Sequence, residues 1–404
     1  MLLKIAWRNI WRNKVRSLVV IASVTAGLFA GMFMMSFFKG IIKQEIESAV
    51  ETQLSHIQFH DAKFPDEKDV NAIIVNGNNI ADKLRKNINV KAISCRVITS
   101  GMISSSSSAS GVEIRGINPS DEKSVSTISK YITEGVYFSS DKKNEVVIGK
   151  KLAEKLGLKL HNKLVLTFQS KSGELTSGSF RIAGIFHSRN SSFDESTVFT
   201  QFGDLSQLLG TGNGIHEIAV MLNKSENAES VNIEFRKQFP NLLVQPWNEL
   251  SPEMAMLTGL FDQMMYIIIG IILLALMFGI INTMLMAVLE RQREFGMLMA
   301  IGMNKPRVFF MILFESVILT CVGLPVGIFL TIGTVGYFNK HGIDLSAFSE
   351  ALERIGFSTM VYPEMDSSML FPITIMTMIT AVLSAIYPAI KAIQFKPAVA
   401  IHKI

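Results

Sequence analysis

The chain has little cysteine and little charge for its length. Its 404 residues include two cysteines, Cys95 and Cys321, which cannot form a disulfide framework. Charged residues make up 18% of the sequence, below the roughly 25% that is usual in soluble domains. Hydrophobic residues reach 49% and are concentrated in a few long uncharged runs. These features exclude a disulfide-rich secreted domain, a disordered chain and an ordinary cytosolic enzyme.

The common catalytic motifs are also absent. No segment matches the GxxxxGK[S/T] phosphate loop, the GxSxG nucleophile elbow or the HExxH zinc motif, so we predict no enzyme activity and no cofactor in this chain. His56 and His60 have a spacing compatible with zinc, but a lone histidine pair is more often structural, and no metal site is expected. No basic tract interleaved with aromatic residues lies in the polar part of the chain, which argues against a nucleic-acid partner.

Four runs are long and apolar enough to cross a bilayer as helices, which takes about 20 residues each. Other small features lie within these runs. Glu315 is their only charged residue, and it is either a functional acid or a hydrogen-bonded packing residue. Two GxxxG spacings, Gly27 to Gly31 and Gly323 to Gly327, favour close approach of helices. The predicted transmembrane helices cover residues 17–38, 263–289, 308–339 and 367–390.

The distribution of basic residues predicts the orientation of these helices. Lysine and arginine outnumber acidic residues in three segments, 1–16, 290–307 and 391–404, which all fall on one side if every run crosses. Short basic loops stay on the cytoplasmic side, so both termini are predicted to be cytoplasmic. Residues 39–262 and the loop 340–366 then lie on the opposite side. Residues 1–16 are amphipathic and contain two tryptophans, which is typical of an interfacial helix.

Residues 39–262 alternate short β-rich runs with helical patterns, which predicts a mixed α+β domain with helical stalks and two subdomains. Ser104–Ser108 is a low-complexity run and is interpreted as a flexible loop, together with the Ala109-Ser110-Gly111 that follows. His187–Glu195 is interpreted as a second exposed loop, with Phe193 in it. The predicted fold is an α-helical membrane protein with four transmembrane helices and a large extracytoplasmic α+β domain between the first two.

The loop between the second and third runs reads ERQREFGMLMAIGMNKPRV, a short charged helix suited to docking on a cytoplasmic protein. Its ExxxEFGxLxAxG pattern resembles the signature of MacB/FtsX-type ABC transporter permeases, in which this loop is the coupling helix. AWRNIWRNKVRS resembles the elbow helix of that family, VVIGKKLAEKLGLKLHNKLVL its external-domain motif and YPAIKAIQFKPAVAI its closing motif. In the external motif, His161 and Asn162 stand where Gly and Asp are usual.

The resemblance implies a permease subunit that works with a dimer of separate ATPase subunits, which bind ATP and Mg²⁺, and with a second permease chain, identical or diverged. The long external domain and the lack of a fused ATPase domain look most like the lipoprotein-releasing LolC/LolE type. This implies a multi-pass protein of the bacterial inner membrane that delivers lipoproteins, or other amphiphilic cargo, to a periplasmic carrier. The residues implied in ATPase coupling are Glu290, Arg293, Glu294, Phe295, Gly296, Leu298 and Gly302.

Two other functions remain open on this resemblance. One is a MacB-like efflux permease for drugs, peptides or lipids. The other is an FtsX-like transmitter that controls a periplasmic hydrolase without transporting anything. The extension GIDLSAFSEALERIGFSTMVYPEMD before the fourth run has no counterpart in the family pattern, and the sequence suggests no role for it.

Overall fold

A computed structural model describes residues 14–64, 68–106, 108–139, 142–188, 190–349, 352, 358–365 and 367–395. Most of the predicted elbow helix and residues 396–404 of the predicted cytoplasmic tail lie outside these ranges. The chain divides into two units. Met1–Gln44, Thr258–Phe348 and Thr359–Ile404 form one, here called the membrane unit. Glu45–Leu257 and Ser349–Ser358 form the other, here called the sheet unit.

The first helix, α1, runs Lys14–Ala49 and is followed by a π-helical turn over Val50–Leu54. It is 36 residues long, so it extends well beyond the predicted apolar run. The polar stretch that the sequence places after that run is helical, as expected. Ser55 ends the helical segment with a φ of +58°.

The sheet unit contains ten strands and seven helices of four residues or more among its described residues. In chain order these are β1 Ile57–His60, α2 Gly77–Arg85, β2 Val90–Ser104, β3 Ala109–Ile117, α3 Pro119–Val125, β4 Ile132–Gly135, β5 Glu145–Gly149, α4 Lys150–Leu156, β6 Lys163–Gln169, β7 Leu175–Phe186, α5 Ser191–Ser196, β8 Thr197–Gln201, α6 Phe202–Leu209, β9 Glu217–Leu222, α7 Ala228–Gln238, β10 Leu243–Pro246 and α8 Trp247–Leu250. The mixed α+β prediction for this part of the chain is confirmed.

One sheet joins what the sequence predicts as two subdomains. Its strand order is β10-β1-β9-β2-β3-β8-β5-β7-β4, and β6 pairs with β2 and β7. β2 makes this continuity possible because it is 15 residues long. Its first half pairs with β9 and its second half with β3 and β6. Two large apolar clusters pack on the sheet, one around Phe59 and Phe235 and the other around Phe168 and Phe180.

Two predicted loops are more ordered than expected. β2 includes Ser104 and pairs antiparallel with β3, which begins at Ala109, so the described serines between them connect two strands of a hairpin. The second predicted loop contains α5, and Phe193 is buried among Phe186 and Phe199. Asn190 caps α5 by accepting hydrogen bonds from the backbone N–H groups of Ser192 and Phe193. A buried aromatic residue and a helix cap therefore replace the expected exposed connection.

The membrane unit is completed by α9 Pro252–Glu290, α10 Gln292–Ala300, α11 Lys305–His341, β11 Ile343–Asp344, β12 Met360–Val361 and α12 Ser367–Ile393. Four of its helices, α1, α9, α11 and α12, are long and apolar enough to cross a membrane. Side chains from all four, and from α10, share one apolar cluster. The predicted class, four apolar helices with an α+β domain between the first and the second, is confirmed.

Candidate functional site

The candidate site is the junction of α9, α10 and α11. The helical geometry of the chain is interrupted at each end of α10. α9 ends at Glu290, and Arg291 leaves helical geometry with φ −99° and ψ 17°. α10 is terminated by Gly302, whose φ of +105° lies in the region that favours glycine. Pro306 lies in the first turn of α11, where its missing N–H costs nothing. The short helix is therefore held between two long ones.

The inward face of α10 is anchored in the membrane unit. Phe295 is 1% exposed and belongs to the same apolar cluster as Val288 of α9 and Val308 of α11. Leu298 is partly buried against this cluster, and Gly296 is buried beside Phe295. Burying a phenylalanine side chain stabilises a protein by about 1.5–3 kcal/mol relative to exposing it. Phe295 and Leu298 thus bind α10 to α9 and α11 and face away from solvent.

Arg291 connects α10 to Glu315 of α11. Its Nε donates to Glu294 Oε2 at 2.9 Å, and its Nη1 lies 3.4 Å from Glu315 Oε2. Its guanidinium carbon is also 5.3 Å from the centre of the Phe295 ring, a cation–π distance. Arg291 and Glu315 are mostly buried, so each offsets the cost of removing the other's charge from water. Four side chains, one from the break after α9, two from α10 and one from α11, thereby form one network.

The outward face of α10 is a mixed apolar and charged surface. Met297 is 50% exposed and Ile301 is 86% exposed. Glu290, Arg293 and Gly302 are exposed as well. Large apolar side chains that are left accessible beside charged ones are typical of protein-docking surfaces.

The predicted coupling residues therefore separate into two groups. Glu294, Phe295, Gly296 and Leu298 are buried or partly buried around Arg291, whereas Glu290, Arg293 and Gly302 are exposed. Sequence reasoning missed Arg291 and Ile301. The depth of Glu315, about three helical turns into α11, was the available signal for Arg291, because a buried acid needs a cation at similar depth. No comparable signal marked Ile301.

The predicted packing glycines differ in their surroundings. A Cβ on Gly323 would lie 3.0 Å from Val24 Cβ, and one on Gly327 would lie 2.9 Å from Leu28 Cδ2, so both are at the contact of α11 with α1. Thr25 Oγ1 also donates to Gly323 O at 3.1 Å across this contact. A Cβ on Gly27 would meet Leu276 of α9 at 3.1 Å. A Cβ on Gly31 would have no atom within 4 Å.

The histidines considered for zinc are engaged in other contacts. His56 Nδ1 accepts from the backbone N–H of Leu222, and the ring nitrogens of His60 lie 3.2 Å from His216 O and 3.0 Å from Gln58 Oε1. Among the described residues no group of three or more histidine, cysteine, aspartate or glutamate side chains is arranged to hold a metal ion.

The chain matches two families of known proteins. Residues 17–238 match the MacB-like periplasmic core domain, and residues 266–397 match the FtsX-like permease C-terminal family. The lipoprotein-releasing system transmembrane protein LolE of Haemophilus influenzae is 21% identical over 332 residues, 79% of each chain. The corresponding LolC of Neisseria meningitidis is 22% identical over 308 residues, 72% of this chain and 73% of its own.

A solved structure of the periplasmic region of MacB from Actinobacillus actinomycetemcomitans aligns with a TM-score of 0.37 at 13% identity, covering 53% of this chain and 97% of that one.

The two family matches together run from α1 to the end of α12, and the first covers more than half of the sequence. They follow the observed order of one apolar helix, an α+β domain and three further apolar helices with α10 between them. The chain belongs to the MacB/FtsX-type superfamily of ABC transporter permeases.

Proposed function

We propose that this chain is the membrane subunit of an ABC transporter that extracts lipoproteins from the inner membrane and passes them to a periplasmic carrier. ATP and Mg²⁺ are bound by a separate ATPase subunit, and this chain performs no chemistry. The proposal rests on the structure of α10. This helix is anchored by the buried side chain of Phe295 and presents exposed apolar side chains at Met297 and Ile301. In a permease of this superfamily, such a helix is suited to receive force from another protein.

The contacts within the membrane unit suggest how that force is transmitted. A displacement of α10 acts on Arg291, which is bound to Glu294 on α10 and to Glu315 on α11. α11 then acts on α1, because Gly323 and Gly327 bring the two helices into close contact. Packed interiors resist compression, so a shift at one contact is passed to the next.

The proposed orientation rests on charge. The basic flanks of the apolar helices favour a cytoplasmic location for α10 and both termini, where an ATPase would have access to α10. The sheet unit is then periplasmic. A second permease chain, identical or diverged, completes the membrane part, because an ATPase dimer offers two equivalent docking sites.

The similarity of this chain to its relatives favours lipoprotein as the cargo. Proteins of lipoprotein-releasing systems resemble this chain over more than 70% of its length. Apart from Glu315, the predicted transmembrane runs contain no charged residue, which suits a cargo with acyl chains better than one that needs a polar channel. The cargo is then handled along the helices and the sheet unit.

A MacB-like efflux permease is the second candidate, supported by the match of residues 17–238 to the MacB-like periplasmic core domain. An FtsX-like signal transmitter is a third, supported by the match of residues 266–397. The three functions differ in what accumulates when the chain is removed: lipoproteins, a toxic amphiphile or inactive hydrolase.

Depletion of the chain in its own bacterium tests the cargo. We expect mature lipoproteins to accumulate in the inner-membrane fraction, and re-expression of the unaltered chain to restore their distribution. The matched comparison is re-expression of Ile301→Glu, which leaves the membrane core intact and should fail to restore release. An unchanged lipoprotein distribution after depletion, together with sensitivity to amphiphilic drugs, would support efflux and contradict lipoprotein release.

A further inference from the structure

The segment between α11 and α12 folds back as a short two-stranded ribbon. Ile343 pairs with Val361 and Asp344 with Met360, and Leu345 donates its N–H to Thr359 O at 2.7 Å. The turn from α11 into β11 uses Gly342, whose φ is +74°. A Cβ there would lie 2.7 Å from the Met360 side chain, so the ribbon packs directly on this glycine. We call residues 342–348 and 359–365, which belong to the membrane unit, the strap.

The strap is hydrogen-bonded to the C-terminal part of α1 within the membrane unit. The side-chain amide of Gln44 donates to Met360 O and accepts from Tyr362 N–H, each at 3.1 Å. It therefore satisfies two backbone groups of one strand edge, as a neighbouring strand would. Glu364 N–H donates to Ser36 O at 2.9 Å, two helical turns earlier on α1.

Charge and close approach strengthen the same attachment. Lys43 Nζ lies 2.6 Å from Glu364 Oε1. A Cβ on Gly40 would lie only 2.2 Å from Tyr362 O and 2.9 Å from Pro363 Cα, so backbone packs against backbone at this point. Any larger residue at position 40 has to displace the strap or bend the helix.

The strap is also bound to α11. Asn339 Nδ2 donates to Pro363 O at 2.9 Å, near the C-terminal end of that helix. α1 and α11 are therefore joined at two levels: at mid-helix through Gly323 and Gly327, and at their C-terminal ends through the strap. Two separated attachments suppress both sliding and splaying of a helix pair.

We propose that the strap clamps the C-terminal end of α1 to that of α11, so that the two ends move as one body during transport. This inference rests on the proposed function. The strap is then the last contact on the path that begins at α10. Through it, a movement of α11 is passed to α1, the helix that continues into the sheet unit. Loosening it should uncouple ATP hydrolysis from cargo release.

Gly40→Ala and Gly31→Ala form a matched pair for the test. Both substitutions add one methyl group to α1 and raise helix propensity equally, but only the first meets the strap, since a Cβ at position 31 has no atom within 4 Å. Strap attachment is measured as the disulfide yield of a Ser36→Cys, Glu364→Cys pair, whose backbones are hydrogen-bonded at 2.9 Å, in a Cys95→Ser, Cys321→Ser background. Function is measured as ATPase rate and cargo release by the full complex in vesicles.

We expect Gly40→Ala to lower both the disulfide yield and the release per ATP by about fivefold or more, the usual size of coupling between linked sites. Gly31→Ala should match the unaltered chain. Gln44→Met, which keeps the side-chain size and removes the amide, should reproduce the loss without the steric clash. Closing the disulfide in the otherwise unaltered complex should leave release intact.

Equal disulfide yields and equal release for Gly40→Ala and Gly31→Ala would overturn the clamp, as would loss of release when the disulfide closes. Failure of the proposed function has a different signature. In that case the unaltered complex shows no ATP-dependent release, while the disulfide yields of the glycine variants still report on the strap.

Discussion

Arg96 is the most deeply buried cation among the described residues, at 1% exposure. Its Nε and Nη2 donate to the carboxylate of Glu122 at 3.0 and 2.6 Å, and Nη1 bonds to Glu217. The three side chains join β2, α3 and β9 in the middle of the sheet unit. Burial opposes ionisation of Glu122, but the Arg96 guanidinium outweighs it and holds the pKa of Glu122 below its usual range.

Removing this guanidinium leaves two buried carboxylates without their partner. We expect Arg96→Met to lower the free energy of opening of the sheet unit by about 3–5 kcal/mol. Arg85→Met is the matched control, because Arg85 pairs with Asp82 and Asp121 at the surface and should cost less than about 1 kcal/mol. Hydrogen exchange of β2 and β9 amides in the full chain measures both. Equal effects of the two substitutions would contradict a structural role for the buried network.

Three buried histidines make the sheet unit sensitive to acid. Burial is the main cause that lowers the pKa of His56, His60 and His216 below 6.5; Lys91 adds to it at His56, while Glu217 opposes it at His60 and the Val70 carbonyl at His216. His216 Nδ1 accepts from Ile98 N–H, a bond that only the neutral ring can accept, while Nε2 bonds to Val70 O. The unfolded chain takes up these protons more readily, so stability present above pH 6.5 is lost as the pH falls below it.

We therefore expect the amides of β1 and β9 to exchange through a smaller opening free energy at about pH 5.5 than at about pH 7.5, after correction for the intrinsic rate. His216→Gln should reduce this pH dependence, because it removes one of the three buried groups that take up a proton more readily in the open chain. A pH-independent opening free energy over this window would contradict the assignment of neutral buried histidines.

At the scale of elements, the sequence predicts the helices and strands that hydrophobic periodicity and capping residues mark. Strands with buried alternation and helices with apolar stripes agree with the structure, and so do the four apolar helices. His161, which stands where glycine is usual in the family motif, has a φ of +66°, and its N–H donates to Ile182 O. The sequence does not predict β4 and β10, because β4 ends in Glu134-Gly135 and β10 in Pro246, which are residues that strands disfavour.

Other elements depend on contacts that the sequence does not encode locally. β2 extends to Ser104, where the predicted loop begins, because β3 and β6 pair with its second half. Phe193 was placed in an exposed loop because its neighbours are polar, but three phenylalanines from separate elements meet at that point. The strap was not predicted because its strands are two residues long and α1 supplies its partners from 300 residues away.

The contact of α11 with α1 gives a prediction at this scale. We expect Gly323→Ala to lower the thermal stability of the membrane unit, because overpacking costs about 1–3 kcal/mol and outweighs the gain in helix propensity. Gly333→Ala on the same helix has no atom within 4 Å of the new Cβ and should be neutral or stabilising. Melting curves in detergent compare the two. Equal melting temperatures would show that the glycines do not define the helix contact.

At the scale of the whole molecule, the main feature is a continuous path of contacts within the membrane unit. It begins at the exposed face of α10, crosses Arg291 and Glu315 into α11, and reaches α1 through the glycine contact and the strap. Every step along this path is a packing contact, hydrogen bond or ion pair, and none of them is a catalytic group that would act on a substrate. This arrangement suits the proposed role of a chain that transmits work supplied by a partner.

Docking of a separate ATPase on α10 is tested by comparing two isoleucine substitutions. Ile301→Glu and Ile88→Glu place the same charge on similarly exposed isoleucines, at 86% and 89%, but only Ile301 lies beside α10. The measurement is the ATPase activity that co-purifies with the chain after gentle solubilisation. We expect a loss of about tenfold or more for Ile301→Glu, the size of an interface hot spot, and no change for Ile88→Glu. An unaltered chain that carries no ATPase, or equal activity in both variants, would contradict docking on α10.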